Sequence, residues 1–359
     1  MRFRWLLPFL LLFLTGCGRD AAQLTVVTGI CVDGLPGEYQ VGAEVIRLTD
    51  ASQGSQSAYL SSDGLTLTDS INGMVSMTGR TLYSNHAQVL LIGRETANNG
   101  IKSLLEELLR GNQYPISLRM AVAKGSAAKT MQAKPVVSDL HSIELTDMIR
   151  EGSKQCLTVD VDACSFYQEI LAPGIEGVLP FVELEENSGE EVCVLAGTAL
   201  FRDERMLAVL NERDSRCLMW MRGKKGGTLV TENAVFEVSE LERKLTATPD
   251  QGHLHLELTL KASDNEENRQ ALMDEARQAM EEQCRSLLGQ LQKLHCDAVG
   301  FGSRIYQKHP GDWSSLQAEW PERFSKYPIT VSVEVKNMIW GRIWSTNGQQ
   351  ELEEARNES

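Results

Sequence analysis

The chain has 359 residues, 42% hydrophobic and 23% charged, and its 49 acidic side chains outnumber 35 basic ones for a formal net charge of −14. That apolar content builds cores rather than disorder, and the length suits two or three domains of ordinary size. The negative balance excludes a general nucleic-acid role, which needs a basic surface against phosphate, and it opposes broad adhesion to anionic lipid head groups.

Residues 1–16 read as a secretion signal. Arg2 and Arg4 precede an apolar run over 5–13 that is too short to span about 30 Å of hydrocarbon as a lasting helix. The run ends in LTGC at 14–17, a lipobox. Small Thr15 and Gly16 let the peptide enter a peptidase in extended form, cleavage falls between Gly16 and Cys17, and the Cys17 thiol takes a diacylglyceryl group. Each buried methylene contributes ~0.8 kcal/mol, so two or three acyl chains hold a protein durably. Residues 17–23 are then a lipidated tether. No later segment offers 18 consecutive apolar residues, so the expected mature protein is anchored to the membrane by lipid rather than integral, on the extracytoplasmic face.

Beyond the tether, 24–34 predicts a strand and 39–48 a second, paired as a hairpin. Residues 49–57 are rich in Ser, Gln and Gly and read as a loop, and 59–64 leads into a helical stretch ending near Thr78. The run 87–93 is almost wholly apolar, as in a strand buried on both faces. A helix with an apolar stripe is expected over 101–110, ended by Gly111 and Asn112, and a strand over 116–123. Helical pieces are expected at 137–151 and 165–171. The acidic stretch 183–191 suits an exposed hairpin or linker and marks a candidate domain boundary. Strands follow at 192–201, 207–211, 228–238 and 254–260, with a helix over 211–222 between the second and third. Asp264 is placed to cap the longest helix, 264–294, whose stripe includes Leu272, Ala276, Met280, Leu287 and Leu291. A helix over 312–324 and a strand over 329–336 complete the fold. This is a mixed α/β (α+β) multidomain pattern of mixed sheets flanked by helices: an N-terminal α/β region 24–190, a C-terminal α/β domain 191–345, and an acidic tail 346–359. A separate middle domain around 125–225 is left open.

Catalytic constellations are missing from the sequence: it has no GxSxG, HExxH, GxxxxGK[ST] or GxGxxG. His253 and His255 share one face of a strand, but further metal ligands are not nearby, so a solvent-facing pair on an edge strand is expected. His295, Cys296 and Asp297 are the parts of a cysteine nucleophile, yet sequence neighbours at a helix end seldom point at one another. RGKKGG at 222–227 reads as a flexible basic turn. Trp313, Trp320 and Phe324, at steps of seven and four, read as one buried helical face. The seven cysteines besides Cys17 show no CxxC spacing; a Cys156–Cys164 disulfide and buried free thiols both remain open. No catalytic residue, metal or cofactor is expected.

With these segments laid out, the chain resembles the spore-germination C-subunit lipoprotein family, the anchored component of nutrient germinant receptors. The matching stretches are LTGC at 14–17, LTVVTGICVDG at 24–34, YLSSDGLTL at 59–67, LYSNHAQVLLIGRETANNGI at 82–101, GTALFRDERMLAVLNERDSRCLMWMRGKKGG at 197–227, and DAVGFGSRIYQKHPGDWSSLQAEWPERF at 297–324. Family members usually carry a Trp-Asp-Arg type sequence after the lipidated cysteine, where Gly18-Arg19-Asp20 stands here. The resemblance implies a lipoprotein on the outer leaflet of the inner spore membrane, beside the integral-membrane A and B receptor subunits. It supplies no catalytic residues. A non-catalytic scaffold or modulator during germination is therefore expected, with candidate contact residues Arg213, Arg216, Arg222, Lys224, Lys225, Phe301 and Arg304. The alternative is a solute-binding lipoprotein that captures a small nutrient itself, which would require a cleft between two similar lobes.

Overall fold

The structure is a computed structural model that describes residues 24–47, 56–111, 113–262 and 268–340. The first half contains β1 (Leu24–Leu35), β2 (Glu38–Arg47), β3 (Gln56–Gly64), α1 (Leu67–Gly73), α2 (Val75–Thr78), β4 (Thr81–Tyr83), β5 (Val89–Ile92), α3 (Arg94–Asn99), α4 (Lys102–Arg110), β6 (Arg119–Ala123), α5 (Ala127–Met131), α6 (His141–Lys154) and α7 (Ala163–Leu171). Next come β7 (Val178–Asn187), β8 (Glu190–Arg202), β9 (Arg205–Leu210), α8 (Glu212–Met221), β10 (Thr228–Val230), β11 (Val235–Ala247) and β12 (Gly252–Ala262). The chain closes with α9 (Arg269–Lys293), α10 (Phe301–Lys308), α11 (Pro310–Leu316), α12 (Trp320–Phe324) and β13 (Ile329–Trp340). The mixed α+β class expected from the pattern is the one observed.

Among the described residues the strands form two sheets. The larger has nine, in the order β3-β2-β1-β5-β6-β7-β8-β9 with β4 beside β1. Its centre, β1, β5, β6 and β7, is parallel, and its flanks are antiparallel. All four residues of β5 are buried. Leu90 and Ile92 face a core shared with α1, α3, α4 and α7, while Val89 and Leu91 face α5 and α6. Helices on both faces are what a continuous apolar strand requires. The smaller sheet has the order β10-β11-β12-β13. Along β12 Leu254, Leu256, Leu258 and Leu260 are buried and the intervening residues are not, because α9 covers one face only. The stripe Ala276, Met280, Cys284, Leu287 and Leu291 of α9 packs there at three- and four-residue steps. Val178, Leu200 and Leu210 of the large sheet belong to this second core, so the two cores meet.

Several expectations are corrected. Residues 56–64, expected as the end of a loop and a lead-in to a helix, form β3, an edge strand whose antiparallel partner β2 supplies the hydrogen bonds; the helix itself starts after Thr66, as expected, and the Thr66 hydroxyl accepts from Asp69 N–H. The segment expected as one strand over 228–238 is broken by a turn in which Thr231 N–H donates to Ala234 O. The expected helix 312–324 is several short pieces, with prolines at the starts of α11 and α12; it is preceded by α10, which the pattern had left unassigned. Residues 183–191 do form a hairpin, turned by Ser188 and Gly189 with φ of 55° and 85°. The sheet runs on past this hairpin through β9. His253 and His255 sit on β12, between β11 and β13, not on an edge. Asn112, Asp264 and the tail 346–359 lie outside the described residues.

Candidate functional site

The two sheets meet around the loop from Leu294 to Gly300, which links α9 to α10. Arg202, at the end of β8, donates through Nη2 to Leu294 O and His295 O at 2.6 and 3.1 Å. Arg222, at the end of α8, donates to Ala298 O at 2.7 Å, to Glu176 O at 3.0 Å and to the Glu169 carboxylate at 2.8 Å. From β11, Arg243 donates to Val299 O at 2.9 Å. Three guanidinium groups thus hold the carbonyls of one loop. Backbones also touch: Ser303 N–H donates to Gly174 O at 2.7 Å, and a Cβ on Gly174 (φ +70°) would lie 2.3 Å from the Gly302 carbonyl carbon. Only glycine fits there.

Asp297 sits in this loop with no exposed surface. Its carboxylate accepts from the N–H groups of Gly300, Phe301 and Gly302 at 2.8, 3.1 and 2.7 Å and from Trp320 Nε1 at 3.1 Å. It therefore caps α10, and burial raises its pKa despite these donors. Glu176 lies beside it; burial first, then the Asp297 charge, push its pKa up to about 8. The junction thus holds one carboxyl that stays protonated near neutral pH.

The candidate contact residues fall into three groups. The cleavage and lipidation residues Gly16 and Cys17 are not among them and lie outside the described residues. Phe301 has no exposed surface and packs against Phe324 and Tyr327, and Arg222 is held in the junction. Neither can form a docking face, because the apolar ring and the guanidinium satisfy internal partners. Arg216 is largely covered, bonded to Glu212 and Thr228 O, and Arg304 donates to Leu245 O and Gln307. Arg213, Lys224 and Lys225 are exposed, with Lys225 paired to Glu240. RGKKGG is not a flexible turn. Gly226 N–H donates to Val238 O, Val238 N–H to Gly227 O, and Trp220 Nε1 to Gly226 O. A Cβ on Gly226 (φ +109°) would meet Lys154 O at 2.0 Å.

Elsewhere carboxylates again serve helix starts. Asp33 accepts from Ala127 N–H, Ala128 N–H and Ser126 Oγ at the start of α5. The crevice beside it, lined by Arg94, Glu95, Gly125 and Ser126, lies at the carboxyl ends of β5 and β6, where the chain leaves to opposite faces. That is where open α/β sheets place ligands, but here the chain's own carboxylate occupies the helix N-terminus. Glu44 is buried and accepts from His141 N–H and Ser142 N–H at 2.9 Å and from Thr28 Oγ1 at 3.2 Å, capping α6. Glu107 does the same for Leu67 and Thr68 of α1.

The remaining groups with chemical potential are also engaged. Among the described residues all seven cysteines are free, so the Cys156–Cys164 pairing is not formed. Burial pushes the thiols of Cys31 and Cys193 up to about 12 and Cys156 up to about 11, far from nucleophilic. His295 points its Nδ1 at Glu322, 3.2 Å away, while Cys296 is buried with a raised pKa. His255, Glu257 and Glu334 place one ligand atom each within 4.8 Å of one another. Lys244 and Lys336 already pair with Glu257 at 2.6 and 3.6 Å, which makes the group an ion-pair ladder on the open sheet face. Trp313, Trp320 and Phe324 do meet, at centroid separations of 5.6 and 6.0 Å, though from two short helices, Trp313 on α11 and the other two on α12. Sequence reading missed Glu176, Arg202 and Arg243; the nearby signal was Pro173-Gly174 facing Gly300-Phe301-Gly302, glycines that only a close chain crossing explains.

The comparisons agree with this architecture. Residues 18–184 match the model described as spore germination protein N-terminal domain, and residues 196–337 match spore germination B3/GerAC-like, C-terminal. The chain is 20% identical to the spore germination protein YfkR of Bacillus subtilis (strain 168) over 92% of this chain and 94% of that one. It is 21% identical to the spore germination protein YndF of the same organism over 85% and 81%. The crystal structure of the GerBC protein superposes with a TM-score of 0.55 at 15% identity, covering 86% of this chain and 96% of that one. Two consecutive family matches spanning both sheets, on a shared fold, lead to one conclusion: the chain belongs to the GerAC-like spore germination protein family.

Proposed function

We propose that this chain is the lipid-anchored C subunit of a spore nutrient germinant receptor and acts as a non-catalytic scaffold for the membrane-embedded A and B subunits. The observation that carries the reading is the pair of family matches in order, 18–184 and 196–337. The structure supports a scaffold because the groups usually spent on chemistry are spent on architecture: Asp33, Glu44, Glu107 and Asp297 cap helices, and the buried thiols have raised pKa values. No helix among the described residues is long and apolar enough to cross a membrane, which accords with attachment through Cys17. Confinement by lipid in two dimensions raises effective concentration, so weak contacts suffice for docking. The exposed cations Arg213, Lys224 and Lys225 are the surface assigned to that contact.

The test is a Cys17→Ala variant in spores. The expected result is loss of the protein from the membrane fraction together with a slowed nutrient response. Retention in membranes with normal germination would overturn the anchoring role. Crosslinking in spore membranes, with the A and B subunits expected among the products, tests the partnership.

A further inference from the structure

We propose that the cavity between β11 and α10 binds a small oxyanion, a phosphate or carboxylate group carried by a soluble molecule or by a lipid head group. The cavity has a volume of about 520 Å³, and Arg243, Lys244 and Arg304 line it with Thr246, Ser303 and Gln307; no acidic side chain does. In a chain of net charge −14, this is a local inversion of sign.

Lys244 is committed to Glu257 at 2.6 Å, so the two guanidinium groups carry the site. Neither has a carboxylate partner among the described residues. Arg304 spends one donor on Leu245 O and another on Gln307 Oε1. Arg243 spends one on Val299 O, and its Nε is buried with no partner. A guanidinium carries five N–H donors in a planar fork suited to an oxyanion, so both retain donors for a ligand. Burial and the charges of Arg222 and Arg304 act together on Arg243, holding it down at about 10. Asp297 attracts it, but that carboxylate is already filled by four N–H donors. The start of α10 is therefore not the site; the arginine side chains are. An oxyanion placed between them would relieve their mutual repulsion, and Ser303 of α10 adds a hydroxyl to the lining.

The experiment is titration of the detergent-solubilised full chain with inorganic phosphate at constant ionic strength, with chloride as the control. Readouts are the thermal midpoint and ³¹P line width. A second arm measures binding to phosphatidylglycerol against phosphatidylcholine vesicles. Phosphate is expected to raise the midpoint and broaden the line where chloride does neither. Arg304→Gln should weaken this about tenfold, the loss expected of a charge-assisted donor pair, while Arg304→Lys recovers part of it. Arg243→Gln tests the second donor, and Arg304→Gln stands alone if that variant fails to fold. Arginine-dependent binding of free phosphate assigns a soluble ligand, and such binding confined to phosphatidylglycerol vesicles assigns a head group. Equal responses of wild type and Arg304→Gln in both arms would overturn the site.

Discussion

The nine-stranded sheet and the four-stranded sheet solve burial in opposite ways. Central strands of the first are covered on both faces, so β5 is apolar at every position. Strands of the second are covered by α9 on one face, so β12 alternates and leaves His253, His255 and Glu257 on the open side. The first sheet connects parallel strands through helices whose N–H ends must be satisfied inside the protein, and buried or half-buried carboxylates do this. The second has a free edge at β13, where α9 reaches over: Glu281 accepts from Val333 N–H at 3.1 Å and Arg285 donates to Val331 O at 3.5 Å. The contrast shows where the acidic residues of this chain work. Several are structural acceptors, concentrated where parallel topology creates unpaired amides.

The largest effect is expected at the junction between the sheets. Asp297→Ala leaves three backbone N–H groups and Trp320 Nε1 without their acceptor, and urea unfolding should show a loss of about 3–5 kcal/mol. A loss under about 1 kcal/mol would mean that the loop 294–300 does not depend on this cap.

Glu176 sharpens the comparison through pH. Its folded pKa, about 8, lies above the ordinary 4.5, so the folded state binds the proton more tightly than the unfolded state. The contribution is fully present below pH 4.5 and is lost as pH rises toward 8. Glu176→Gln should therefore stabilise the protein at pH 8, on the order of 3 kcal/mol, and change little at pH 4.5. Urea midpoints at the two pH values check the sign; a gain confined to the acidic sample contradicts it.

Glu44→Gln breaks the corresponding device of the large sheet, turning one acceptor at the start of α6 into an NH₂ that faces backbone N–H. A loss of about 2 kcal/mol in thermal or urea unfolding is expected, smaller than at Asp297 because one acceptor oxygen survives. The smallest effect falls on the other sheet. Glu281→Ala should cost about 0.5 kcal/mol, yet it uncovers an amide on the β13 edge and should raise concentration-dependent association measured by light scattering.

Much of this was legible beforehand for identifiable reasons. The apolar run 87–93, the alternation at 254–260 and the stripe of α9 each follow from one element meeting a fixed environment. The hairpin at 183–191 was legible because Ser and Gly tolerate the positive φ its turn requires. β3 was not legible, since an edge strand rich in Ser has no apolar period of its own and is specified by β2. Phe301 and Arg222 were read as surface residues because neighbouring glycines and lysines look solvated, whereas their true partners lie far along the chain.

By itself the sequence determined the element types over the strongly periodic segments, the mixed α+β class and the family, because these depend on local spacing and on blocks in fixed order. Only the tertiary structure decided which carboxylates cap which helices, that Arg202, Arg222 and Arg243 converge on one loop, and that Arg243 and Arg304 share a cavity without acids. Such charges are placed by contacts across dozens of residues, and their energies depend on burial, which no local pattern encodes.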